Sequence, residues 1–209
     1  MGINYKFKQS KSFNIKYSNQ KIKNEFYNSL IFFGVKTENL SLTNSQYLIG
    51  SKNDFAIINS GDYLQMLKQI KKLSYAISQK KGKILYINNL PNDNLEGIIK
   101  FFFSKSNQKN ISLTKWFFGL LTKILDLNIG AVFLLNSSKN FFYIKEANRL
   151  GIPIINLNSS NSNIAATNYK IIHNNLDANA IFFNLFIITN SILEGLLFNY
   201  IKHNKKQTI

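Results

Sequence analysis

Residues 131–157, AVFLLNSSKNFFYIKEANRLGIPIINL, constrain the fold more than any other part of the chain. Residues 131–135 are an unbroken apolar run of strand length, and Ile152, Ile154, Ile155 and Leu157 form a second. Between them, Phe142, Lys145, Glu146, Ala147 and Leu150 suit a short helix. Gly151 falls where a helix C-terminus wants a residue free to take positive φ. Pro153 falls at the first positions of the next strand, where a missing N–H is tolerated. Near-continuous apolar strands joined by a helix imply a parallel sheet covered on both faces.

The same alternation runs along the chain. A short helix is expected over 25–33, ending at Gly34, and then a polar loop to about Gly50. Residues 55–59 (FAIIN) read as the first core strand. Residues 62–79 read as a helix, with Leu64, Leu67, Ile70 and Leu73 at helical spacing and Ala76 and Ile77 continuing the face. Asp62 near its start and Lys80 and Lys81 at its end complement the helix dipole. A strand over 83–88, a helix over 91–103, an extended piece running into a helix over 112–128 and a short strand over 169–172 follow. The pattern predicts an α/β fold: a flavodoxin-like open parallel sheet with helices on both faces.

A long apolar helix is expected over 176–202. Its span 181–198 is about the minimum for a bilayer crossing. Asn184, Asn190, Ser191 and Glu194 interrupt it, and Ile181, Leu185, Ile188, Ile192 and Leu196 form one stripe, which favours a helix packed on the sheet.

Composition narrows the partner. The chain has 209 residues and a formal net charge of +16, so it repels itself unless a polyanion neutralises it. Nucleic acid is the first candidate and an anionic membrane surface the second. Residues 1–24 carry Lys6, Lys8, Lys11, Lys16, Lys21 and Lys23 with no acid, interleaved with Tyr5, Phe7, Phe13 and Tyr17. A solvated tail is one reading; lysines alternating with aromatics suit phosphates and exposed bases and favour a basic arm ordered only against a partner. Residues 25–202 would form the α/β domain and 203–209 a basic tail.

Catalytic equipment is sparse. The chain has no cysteine, which excludes disulfides, thiolate catalysis and Cys-based zinc sites. Of its two histidines, His203 lies in the basic tail and His173 is expected in a surface loop. The acids are scattered, and no glycine-rich phosphate loop follows a strand. No catalytic residue, metal or cofactor is expected. The competing reading is a flavodoxin-like small-molecule-binding protein or enzyme, with its ligand near residues 59–61 and 136–138. Trp116 reads either as a core aromatic or as a brace for an RNA-contacting segment, since Lys115 and Lys123 lie on either side of it.

Several blocks resemble one family in order and spacing. IKEANRLGIPIINL (144–157) is similar to the helix–Gly-Ile-Pro–strand block of bacterial-type ribosomal protein S2. Downstream, Asn161, Tyr169 and Asn174 fall in register with that family's loops. Upstream, TKWFFGLLTK retains Trp116, Gly119, Leu121 and Thr122 of its Trp-Gly-Gly segment. FFGVKT matches through Phe33, Gly34 and Thr37, and YLIGSKNDFAIIN through Tyr47, Gly50, Asn53, Ile57 and Ile58. Two departures stand out. The family's inserted helical hairpin has no counterpart between Thr122 and the strand at 131, and Ser159, Asn175 and Leu176 stand at its acidic loop positions.

The resemblance implies a structural constituent of a small ribosomal subunit. Its partners would be small-subunit ribosomal RNA near the head–body junction and neighbouring ribosomal proteins, without a membrane or a small-molecule substrate. Lys6, Lys8, Lys11, Lys16, Lys36, Lys115, Trp116 and Lys123 are the expected RNA-contacting set. Asn, Ile, Lys, Phe and Tyr are abundant and Arg149 is the single arginine. That bias points to an AT-rich organelle or endosymbiont genome. With no apolar signal core and no Arg-rich leader at the N-terminus, the expected home is the mitochondrion, with a plastid as the alternative.

Overall fold

The computed structural model describes residues 30–88, 94–106, 112–113, 119–123, 128–135, 142–160, 167–174 and 177–207. A small antiparallel sheet comes first. The 3-10 turn Leu30–Phe32 leads into β1 (Phe33–Lys36), and two more such turns, Thr37–Asn39 and Leu42–Tyr47, lead to β2 (Leu48–Lys52). A hairpin then delivers β3 (Phe55–Ile58), the middle strand of the order β1-β3-β2. At its tip Asn53 and Asp54 take φ of 50° and 64°, the backbone twist that a two-residue hairpin turn prefers and that Asn and Asp tolerate.

This sheet corrects two expectations. Residues 55–58 are not a strand of the parallel sheet, and the segment expected as a polar loop holds β1 and β2. β3 buries Ala56 and Ile58 while Phe55 is exposed and Ile57 half-buried, the pattern of a strand covered on one face. A short apolar run does not by itself say which sheet it joins.

The remaining elements are α1 (Ser60–Gln79), β4 (Lys83–Asn88), α2 (Asn94–Lys105), β5 (Ser112–Leu113), α3 (Leu120–Lys123), β6 (Ile129–Leu135), α4 (Phe142–Arg149), β7 (Ile154–Asn158), β8 (Tyr169–Ile172) and α5 (Ala178–Gln207). The five strands are parallel, in the order β5-β4-β6-β7-β8. Ranked along the chain that is 2-1-3-4-5, the flavodoxin-like order. The segment that opened the reading lies at the centre as β6–α4–β7, with Val132 to Leu135 in register with Ile154 to Leu157. Gly151 takes φ of 69° at the end of α4. Residues 124–128 alone separate α3 from β6, too few for a helical hairpin.

Alternation along the strands builds two cores. Tyr86, Ala131, Phe133, Leu135, Ile155 and Leu157 face a layer that includes α1, α2 and α5. Leu85, Ile87, Val132, Leu134 and Ile154 face Tyr143, Ile144 and Ala147 of α4 and Leu121 of α3. Of the polar residues that interrupt α5, Asn184, Ser191 and Glu194 face α1. Tyr63 donates to Asn184 Oδ1 at 2.8 Å, Ser191 Oγ to the Lys71 carbonyl at 2.6 Å and Asn199 Nδ2 to the Ser78 carbonyl at 3.0 Å. Glu194 pairs with Lys71 at 3.7 Å. The helix is long and apolar enough to cross a membrane, yet here its stripe packs in the core and its polar side chains bond to a neighbouring helix.

His173 corrects a third expectation. It is buried, not a surface-loop residue: its N–H donates to the Asn158 carbonyl, and the next residue's N–H donates to the Ile31 carbonyl, tucking the end of β8 under the turn before β1. Desolvation lowers its pKa to about 4, opposed by a hydrogen bond with the Asn174 backbone and by the charge of Asp177.

Candidate nucleic-acid interface

Each helix of the parallel layer has to run back against the strands to reach the start of the next one. Helix C-termini therefore gather at the N-terminal edge of the sheet. Lysines and the arginine concentrate there, because cations are favoured at the negative ends of helix dipoles. Lys80 and Lys81 follow α1 and Lys83 opens β4; Lys105 ends α2, Lys123 ends α3 and Arg149 ends α4. Lys202, Lys205 and Lys206 fall in the last turns of α5. The Asn199–Ser78 bond holds that part of α5 against the end of α1.

Two acids sit at the other edge, while Glu146 stays on the basic side. Asp62 lies in the first turn of α1, and Asp177 Oδ1 accepts from Asn179 N–H at the start of α5. One cation stabilises its own helix by only about 0.3–1 kcal/mol. Brought together by topology, these cations make one end of the sheet a basic edge suited to a polyanion.

The turn after α1 shows how the local sequence builds this edge. Gly82 N–H donates to the Ile77 carbonyl at 2.9 Å and Lys81 N–H to the Ser78 carbonyl at 3.0 Å, the paired bonds of a Schellman cap. Lys81 occupies the left-handed position at φ 59°, where glycine is the usual residue. An exposed lysine therefore stands where the backbone favours glycine. Across the sheet, Thr122 donates through both its N–H and its hydroxyl to Glu146 Oε1, at 3.2 and 3.1 Å, tying α3 to α4. The cleft beside this tie, about 510 Å³, is lined by Gly119, Thr122, Phe142, Lys145, Glu146, Arg149 and Leu150.

The expected set divides. Lys123 lies on the basic edge and is exposed. Lys36 is also exposed but lies at the opposite edge, since its neighbour Val35 donates to the Ser160 hydroxyl just past the C-terminus of β7. The same serine hydroxyl lies 2.6 Å from where a Cβ on Gly34 would stand, which accounts for the glycine in FFGVKT. Lys6, Lys8, Lys11, Lys16, Lys115 and Trp116 lie outside the described residues, as do 136–138. Of the rival ligand site, Asn59 caps α1: its Oδ1 accepts from Gly61 N–H and its Nδ2 donates to Asp62. Sequence reasoning missed Lys83, Lys105 and Arg149 as members of a shared surface. The available signal was a base at the end of successive helices.

Comparison with known proteins agrees with this architecture. The family model for ribosomal protein S2 matches residues 27–129 and 125–195. Small ribosomal subunit protein uS2 of Ehrlichia chaffeensis is 26% identical over 214 positions, covering 79% of this chain and 73% of that protein. Its counterpart in Ehrlichia ruminantium is 25% identical with 79% and 74% covered, and that of Colwellia psychrerythraea 24% with 79% and 87%. An alignment of 214 positions is longer than the 209-residue chain, so the relative carries residues within the aligned span that this chain lacks. The two family matches overlap at 125–129, from the short connection after α3 to the first residue of β6. With a match spanning most of the chain, a flavodoxin-like strand order and a seam where the hairpin is missing, this chain belongs to the ribosomal protein S2 family.

Proposed function

We propose that the chain is a structural constituent of the small subunit of a mitochondrial ribosome, where it binds small-subunit ribosomal RNA and neighbouring ribosomal proteins. Family membership is the observation that carries the ribosomal role. The basic edge supports RNA as the direct partner, because its cations end the helices that lead into β4, β5, β6 and β7. The AT-rich residue bias and the net charge of +16 support an organelle-encoded RNA binder. Lys80, Lys81, Lys83, Lys105, Lys123 and Arg149 neutralise phosphates. Lys6, Lys8, Lys11, Lys16 and Lys115 extend the contact in this reading, with Trp116 as a brace and Lys36 as a separate contact on the far edge. Phosphate contacts position the protein and carry little sequence information.

The test is sedimentation of the tagged full-length chain in mitochondrial lysate. The expected result is comigration with the small subunit at low salt. For the purified chain on ribosomal RNA, log affinity against log salt should fall by about 0.7–0.9 per phosphate neutralised. Changing Lys80, Lys83 and Lys123 together to Gln should flatten that slope by about 2. A chain that stays at the top of the low-salt gradient would refute the ribosomal reading, and recovery with plastid ribosomes would refute the mitochondrial one.

A further inference from the structure

Four phenylalanine rings run in contact across the α2–α5 face. Phe101 meets Phe102 edge-on at 5.4 Å between centroids, Phe102 meets Phe182 at 4.9 Å, and Phe182 lies parallel to Phe186 at 6.5 Å, with 9° between planes. Phe102 is buried and anchors the row in the core. Phe101 and Phe182 are not: they remain 50% and 44% exposed. Packing α2 on α5 requires Phe102 and its partly buried neighbour Ile98. It does not require two more rings left in water.

Charge distinguishes this row from a plain apolar patch. The Lys105 ammonium sits over Phe101, 5.6 Å from the ring centroid, and Lys100 is exposed on the same helix. Lys105 also belongs to the basic edge, so the row begins where that edge ends. Flat aromatic faces beside lysines suit a nucleotide, whose base offers a π-face and whose phosphate lies one step along the strand. An acid-rimmed groove in a protein would answer the charge as well, but Leu or Ile would serve it equally. The specific feature here is aromatic.

We propose that Phe101 and Phe182 form a shelf of two separate stacking positions for unpaired RNA bases, with Lys105 holding an adjoining phosphate. The inference rests on the RNA-binding reading above and adds that the RNA is single-stranded where it crosses α2 and α5. A short single-stranded RNA carrying a fluorescent adenine analogue, quenched on stacking, tests it against an RNA duplex of the same length. With the wild-type chain, the analogue should be quenched on binding. Phe101→Leu with Phe182→Leu should abolish the quench and weaken single-strand binding about ten-fold, leaving duplex affinity within about two-fold.

Unchanged single-strand affinity and quench in the double variant would overturn the shelf and leave the RNA-binding reading intact. An equal loss on both RNAs would overturn it too, since a general electrostatic or folding effect then explains the change. Failure of the wild-type chain to bind either RNA would overturn the RNA-binding reading itself. If the double variant fails to fold, as judged by circular dichroism, Phe101→Leu alone carries the same test at a half-exposed site.

Discussion

Gly195 offers a test of the α1–α5 crossing in which the sign of the effect decides. A Cβ at this position would overlap Ser78 Oγ, lie 2.7 Å from the Tyr75 carbonyl oxygen and lie 3.1 Å from Ser78 Cβ. The carbonyl is the hard obstacle, because it belongs to the backbone of α1. The Ser78 hydroxyl is held too, donating to that same carbonyl at 2.9 Å. Clearing the carbonyl alone to ordinary contact beyond 3.4 Å requires the helices to part by about 0.7 Å, and the hydroxyl demands more unless it rotates away. That parting would strain the Asn199–Ser78 and Ser191–Lys71 bonds across the same interface.

Overpacking of this kind costs typically about 1–3 kcal/mol, and occasionally more. Alanine in place of a mid-helix glycine returns about 1 kcal/mol of helix propensity. The expected net effect of Gly195→Ala is therefore a loss of up to about 2 kcal/mol, or up to about 8 °C in Tm for a chain this long. Gly97 is the control. It lies within α2 with nothing within 4 Å of its built Cβ, so Gly97→Ala should gain stability by about 0.5–1 kcal/mol. Urea denaturation of the full-length chain reads both, with m values expected to be unchanged. A stabilised Gly195→Ala, moving with the control, would refute the close crossing and the helix packing argued from it.

Lys81→Gly should raise stability by about 1 kcal/mol, since it relieves a left-handed residue, while weakening RNA binding; a loss of stability in urea would contradict the Schellman geometry. Tyr63→Phe should cost about 1–3 kcal/mol by leaving Asn184 Oδ1 buried without its donor, and Asn184→Leu in the same chain should recover part of that, with strict additivity counting against the bond. The depressed pKa of His173 means that the unfolded chain binds the extra proton between about pH 6.5 and 4. Stability should therefore be complete above pH 6.5 and fall by at most about 3 kcal/mol on acidification through that window. Denaturation midpoints against pH check this, and a profile that His173→Gln does not flatten would refute the assignment.

What was legible in the chain followed from burial. β6 and β7 are covered on both faces, so they appear as unbroken apolar runs, and the glycine and proline between them mark a turn whose geometry needs them. The stripe of α5 and its polar interruptions ruled in a packed helix, but Asn184, Ser191 and Glu194 name no partner until α1 lies beside them. The sheet that β3 joins is not legible in its residues, because strand pairing is a long-range choice that a short apolar run does not encode. His173 looked exposed because nothing local shows that Ile31, far upstream in the chain, closes over it.

The sequence by itself determined the α/β class, the family resemblance and the strong positive charge. Only the tertiary structure decided where that charge is concentrated. Lys80, Lys105, Lys123 and Arg149 end separate helices spread along the chain, and each can be explained by its own helix dipole. Each of those helices leads into the start of a parallel strand, so separate dipole preferences add up on one edge of the sheet.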